Sequence, residues 1–287
     1  MNEIENKHRG WSRIFLIILP YIFIVVIFQL IGGAITGVDF TNPKIDTTTI
    51  QKLTISLFDL LGTFLVLWIF MKFVDKEKFV HLGFQTRNRF NEFILGIGIC
   101  FVIMIVSFSL LIFLKEITFH RITFDLKEII MSFLLFTFVS IAEETLFRGY
   151  ILRNLMISFN KYIALIVSSL LFALMHGFNP NIDLVSLFDL FLAGILLGLS
   201  YIYTKNLWFP ISLHLSWNLF QTLFGFNVSG KDAYSLIEFR IFEKNLINGG
   251  DFGFEGSVLS IIAQIITIIG IAIYYNRIKV NQNRGYN

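Results

Sequence analysis

Eight apolar runs constrain this chain more than any other feature of its sequence. They lie at about 14–35, 53–71, 93–114, 129–147, 162–176, 184–203, 208–226 and 258–275. A helix needs roughly 17–25 mostly apolar residues to cross the hydrocarbon core of a bilayer. The first, third and eighth runs contain no charged residue, whereas the fourth to seventh carry polar groups or run short. The fold class expected is all-α: a polytopic transmembrane helical bundle of about eight spans.

Composition agrees. Hydrophobic residues make up 55% of the 287 and charged residues 15%, against about 25% charged in a soluble domain. Thirty-four phenylalanines and only four prolines exclude a soluble globular enzyme, a disulfide scaffold and a disordered chain. The lone cysteine, Cys100, lies in an apolar run and reads as a small buried hydrophobe. A net charge of +3 with no basic stripe excludes a nucleic-acid partner. No internal repeat or second domain is visible, so residues 1–287 read as one membrane domain.

The first run follows Lys7, Arg9 and Arg13 as a signal peptide's would, but it is longer than an h-region's roughly 7–15 residues. It is expected to be a retained first helix. With eight spans both termini share a side, and most of the 23 Lys and Arg fall there, which makes that side cytoplasmic. The polar stretch at about 227–256 would then be external.

Ionisable groups inside such runs are expensive, by roughly 2.5–3.5 kcal/mol each on insertion scales, and so require an explanation. Glu143, Glu144 and Arg148 lie in the fourth run, His176 ends the fifth, and His214 and Asn218 lie in the seventh. Glu144 and Arg148 are spaced i,i+4 with the acid first, the favourable order for a pair. Glu143 points about 100° away and is free to face another helix. If the chain turns near Asn160, Glu143 and His176 are nearly equidistant from the turn and sit level on an antiparallel pair. His214 and Asn218 share one helix face. Asp59 and Asp189 are placed near span ends without an obvious partner, and read as structural or as lining a wet cavity.

A free glutamate with two histidines suits hydrolysis in two ways. Glu143 can act as general base with His176 sharing the proton, while His214 and Asn218 donate to a developing oxyanion. Alternatively Glu143, His176 and His214 hold a divalent metal such as zinc that activates water. H-E-x-x-H is absent, as are G-x-S-x-G and a serine or cysteine triad.

Glu143-Glu144-Thr145-Leu146-Phe147-Arg148 matches E-E-x-x-x-R, Phe172-Ala173-Leu174-Met175-His176 matches F-x-x-x-H, and His214-Leu215-Ser216-Trp217-Asn218 matches H-x-x-x-N. In this order, each in an apolar segment, they resemble the CPBP (CAAX protease and bacteriocin-processing, Abi) family of intramembrane endopeptidases, related to the type II CAAX prenyl endopeptidase. The resemblance covers about residues 125–226, taken as the catalytic core. It implies that Glu143 activates water with His176 assisting, that His214 and Asn218 stabilise the oxyanion, and that Glu144, Arg148 and Phe172 support them. The family is conventionally labelled metalloprotease, with its metal requirement disputed.

The chain reads as prokaryotic, which favours a membrane-embedded peptide or protein substrate, as in bacteriocin or pheromone processing, over a prenylated tail. Because His176 ends its run early, the fifth helix is expected to border a water-filled chamber. Two other classes compete: a non-catalytic membrane immunity or scaffold protein that binds a peptide or a cell-wall enzyme, and an ion-coupled transporter. The absence of repeat symmetry counts against the transporter.

Overall fold

The structure, a computed structural model, describes residues 3–40 and 47–284, with side chains over 10–40 and 47–277. Each apolar run becomes a helix. In chain order these are α1 (Glu3–Ile35), α2 (Thr49–Ile69), α3 (Phe90–Phe113), α4 (Leu126–Glu144), α5 (Arg153–Ser158), α6 (Lys161–Met175), α7 (Leu184–Thr204), α8 (Trp208–Leu223) and α9 (Val258–Arg284). The short α5 continues α4 through a π-helical turn, Thr145–Leu152, so the two act as one long rod. A second π turn, Phe70–Asp75, extends α2. The chain is an integral membrane protein, an all-α helical bundle.

Among the described residues six helices are long and apolar enough to cross a membrane: Gly10–Ile35, Thr49–Asp75, Phe90–Phe113, Leu126–Ser158, Leu184–Thr204 and Val258–Arg277. The remaining two of the expected eight are shorter, α6 with 15 residues and α8 with 16. α6 packs on α7, and α8 packs between α3 and α4. The non-helical backbone after α8, Phe224 to Gly230, is buried or half-buried, so it is covered by protein, whereas the stretch after α6 is exposed at Gly177, Phe178, Pro180 and Asn181.

Local chemistry sets the helix starts. Thr48 and Gln51 close a capping box on α2, while the side chains of Asp125, Asn160 and Asp183 accept from the first free amides of α4, α6 and α7. These polar residues follow turns at the ends of the rods, where unpaired N–H groups would otherwise be stranded.

The most apolar window of α1 is only 17% buried within the protein, whereas that of α7 is 61% buried. So α7 is the central post and α1 faces lipid along most of its surface. Gly194 of α7 permits the close approach of α6: a Cβ there would lie 2.7 Å from the Cα of Ser169. One apolar core joins α1, α2, the π turn and α5–α7 around Tyr150, Leu152 and Phe172. A second joins α3, α7, α8 and α9 around Met104, Phe209 and Phe254. Cys100 is buried in the second core, with its thiol donating to the Leu213 carbonyl at 3.2 Å.

Beyond the helices, β1 (Thr118–Ile122) and β2 (Ile237–Arg240) pair antiparallel, with Arg121 opposite Glu238 and Ile122 opposite Ile237. This small sheet ties the α3–α4 connection to the long α8–α9 segment at the end of the bundle away from the termini. At the other end, Arg13 of α1 pairs with buried Asp75 at 2.7 Å, and Arg153 pairs with Glu77.

Candidate active site

The turn between α5 and α6 folds α6 back along α4, and this antiparallel return brings Glu143 and His176 together. His176 Nε2 lies 3.8 Å from Glu143 Oε2, the level match expected from the spacing. His214, on α8, places its own Nε2 3.9 Å from the same oxygen. Glu143 Oε2 is buried and has no hydrogen-bond partner among the described residues.

Both imidazoles are oriented from behind. His176 Nδ1 lies 2.9 Å from the Phe172 carbonyl, an acceptor, so Nδ1 carries the proton and donates. His214 Nδ1 lies 2.9 Å from Glu144 Oε1 and donates to it. Each ring therefore presents Nε2 toward Glu143.

Glu144 and Arg148 form the pair that their spacing suggests: Arg148 Nη1 donates to Glu144 Oε1 at 2.8 Å, with both side chains essentially fully buried. Arg148 Nη2 also donates to the Gly194 carbonyl of α7 at 3.3 Å. Its guanidinium carbon lies 4.4 Å from the centre of the Phe172 ring. That ring meets Phe147 and His214 edge-on and His176 at 4.8 Å between centroids. Phe172 thus holds the arginine and both histidines in place at once.

These groups border a chamber of about 950 Å³, lined among others by Asp59, Glu143, His176, His214, Asn218 and Glu255. A chamber at the end of α6 was the expectation from the early stop at His176. Asn218 lies one turn beyond His214, is 6% exposed, and makes no hydrogen bond among the described residues.

Of the two further acids, one sits differently from the sequence reading. Asp59 lies in the middle of α2 and not near a span end; its Oδ1 accepts from Gln29 Nε2 of α1 at 2.6 Å. Asp189 does sit in the early turns of α7, fully buried, facing Ser260 and Gln264 of α9. Glu255 was missed. It arrives from the segment between α8 and α9, and the backbone N–H and hydroxyl of Ser229 donate to its Oε2 at 2.7 and 2.9 Å. Burial raises the Glu255 carboxyl above the ordinary glutamate range, against the lowering effect of the Ser229 bonds and of both histidines. Its only sequence signal was an acid among Phe252, Phe254 and the four glycines Gly249, Gly250, Gly253 and Gly256 in an otherwise polar stretch.

Residues 125–220 match the family model described as Rce1-like, the type II CAAX prenyl endopeptidase Rce1-like family. The match supports the CPBP, or CAAX-protease, family for this segment. No curated protein matches the chain. The CAAX-protease segment runs from the Asp125 cap of α4 into α8 and contains Glu143, Glu144, Arg148, Phe172, His176, His214 and Asn218. It supports a CAAX-type peptidase. Glu255, Asp59 and the whole of α1–α3 and α9 lie outside it.

The metal of the conventional CAAX-protease label can be tested against this geometry. Zinc ligands at 2.0–2.1 Å in a tetrahedron lie about 3.4 Å apart. The separations from Glu143 Oε2 are 3.8 and 3.9 Å, and among the described residues no group of three or more His, Cys, Asp or Glu is drawn close enough to chelate. The orientation of both Nε2 atoms suits a metal, but the spacing is too wide for one as it stands. A single water fits the gap, since an oxygen bridging two groups at roughly 2.8 Å spans separations of this size.

Proposed function

We propose that the chain is an intramembrane endopeptidase that hydrolyses a peptide bond of a membrane-associated peptide or protein through water activated by Glu143. The observation that carries this reading is the convergence of two back-oriented histidine Nε2 atoms on one buried, unbonded Glu143 oxygen within the CAAX-protease segment.

The positions of these groups support one sequence of proton transfers. Water held between Glu143 Oε2 and His176 Nε2 gives a proton to Glu143 as its oxygen attacks the scissile carbonyl carbon. Charge develops on the carbonyl oxygen, where Asn218 Nδ2 and the Nε2–H of His214 in its imidazolium form donate. The Glu144 carboxylate behind His214 accepts its Nδ1–H and orients the ring, and Arg148 holds Glu144 in place. The carbon–nitrogen bond then breaks, and Glu143 returns its proton to the leaving amine. A divalent metal is the variant of the same reading. Its ligands would be Glu143, His176 and His214, drawn closer than the present 3.8 and 3.9 Å, and it would supply Lewis-acid activation of the water.

The bias of Lys and Arg supports cytoplasmic termini, and a prokaryotic membrane peptide such as a bacteriocin or pheromone precursor is the substrate class in view. The test compares peptides from membranes and medium of hosts expressing the natural chain or Glu143→Gln. New termini that require Glu143 support the proposal and identify the substrate. Identical profiles, with both proteins inserted, favour the immunity or scaffold role.

A further inference from the structure

The segment between α8 and α9 brings a carboxylate into the chamber that the hydrolysis above does not use. Glu255 is 6% exposed and shares the chamber with Glu143, His176 and His214. Its position is fixed by more than one contact. Ser229 donates twice to Oε2, Gly230 N–H donates to the Phe252 carbonyl at 2.9 Å, and Gly253 turns the chain at φ +98° against the Asn227 carbonyl, where a side chain has no room. Oε1 receives no hydrogen bond among the described residues and is left for a ligand.

The charge on the chamber wall is unbalanced. Asp59, Glu143, Asp232 and Glu255 line it, against Lys52, Lys231 and the imidazoles of His176 and His214. Lys52 donates to the Asp232 carbonyl at 2.7 Å, and Lys231 is exposed. Arg148 is committed to Glu144 and the Gly194 carbonyl. Asn218, nine-tenths buried and unbonded among the described residues, presents a further polar group to the same space. A buried carboxylate with one oxygen lacking a donor is poorly stabilised until a cation or donor reaches that oxygen.

We propose that Glu255 binds a positively charged side chain, a lysine ammonium or an arginine guanidinium, of the peptide that occupies the chamber. The substrate class is then a membrane peptide with a basic residue close to the bond cleaved. This rests on the peptidase reading for its purpose, though the cation site itself does not depend on turnover. Its wall residue comes from outside the CAAX-protease segment, so selection by charge is a property of this chain's own α8–α9 connection.

The experiment measures binding to Glu143→Gln protein in lipid nanodiscs. The probes are synthetic single-span Leu/Ala peptides that carry a central Lys, Gln or Glu and are otherwise identical. The Lys peptide should bind about tenfold tighter than the Gln peptide, and the Glu peptide weakest. Adding Glu255→Gln should bring the Lys and Gln affinities within about twofold, whereas Glu255→Asp should keep most of the preference. Equal binding of the three peptides, no binding of any, or a Lys preference that survives Glu255→Gln overturns the proposal. If Glu255→Gln fails to fold, the order of the three peptides on the parent protein still decides. In parallel, the natural chain is assayed for cleavage of the Lys peptide. Charge-ordered binding without any cleavage counts against the peptidase reading while sustaining the cation site.

Discussion

Glu144 Oε1 accepts a hydrogen bond from His214 Nδ1 at 2.9 Å, joining α4 to α8 across 70 residues of sequence. The same oxygen takes Arg148 Nη1 at 2.8 Å. One buried carboxylate therefore fixes the tautomer of a histidine that faces the chamber, and is itself fixed by a buried cation.

Glu144→Gln keeps the shape of the side chain but removes the charge that holds His214. Cleavage of a verified substrate should fall about 10–100-fold, as it does when groups behind an active ligand are changed. Steady-state kinetics beside detergent melting checks this. A rate within twofold of the natural chain would mean that His214 needs no orientation from Glu144.

Arg148→Ala leaves the fully buried Glu144 carboxylate without its cation. Loss of about 3–5 kcal/mol is expected from breaking a buried pair on one side only. Arg148→Lys should recover part of it, because one ammonium cannot serve both Glu144 and the Gly194 carbonyl with a guanidinium's geometry. Chemical or thermal unfolding in detergent reads the order natural, Lys, Ala. Coincident transitions would show that the pair adds nothing to stability.

Asn218→Ala removes an amide that makes no hydrogen bond among the described residues, so folding should be little affected. If Asn218 donates to the oxyanion, kcat should fall about 10²–10³-fold with KM little changed. A rise in KM at constant kcat would reassign Asn218 to ground-state binding.

Chelation separates the two versions of water activation. With 3.8 and 3.9 Å between the Glu143 oxygen and the histidine nitrogens, turnover is expected to survive exhaustive treatment with a chelator. Loss of activity that stoichiometric zinc restores would show instead that Glu143, His176 and His214 close around an ion.

Much of the architecture was legible because it is local. A run of apolar residues becomes a helix in lipid wherever it occurs, and all eight did so. The Glu144–Arg148 pair follows from i,i+4 spacing, and the Glu143–His176 approach follows from equal distances to the Asn160 turn. What could not be read depends on how helices face one another. In lipid the outside of a helix is as apolar as its packed side, so hydrophobic pattern does not say which face turns inward. Hence the Glu144–His214 bond was not foreseen, and neither was Gln29 as the partner of Asp59. The β1–β2 pairing and the descent of Glu255 into the chamber involve a long polar connection whose path is set by glycine turns and Ser229, with no periodicity to betray it.

The central claim is that Glu143 removes a proton from water in the chamber. The direct measurement is single-turnover cleavage of a verified membrane substrate by purified Glu143→Gln, reconstituted beside the natural chain and matched in melting temperature. The account predicts a rate lower by at least about 10²-fold, the scale of a lost general base. Turnover at the natural rate by the folded variant would contradict it.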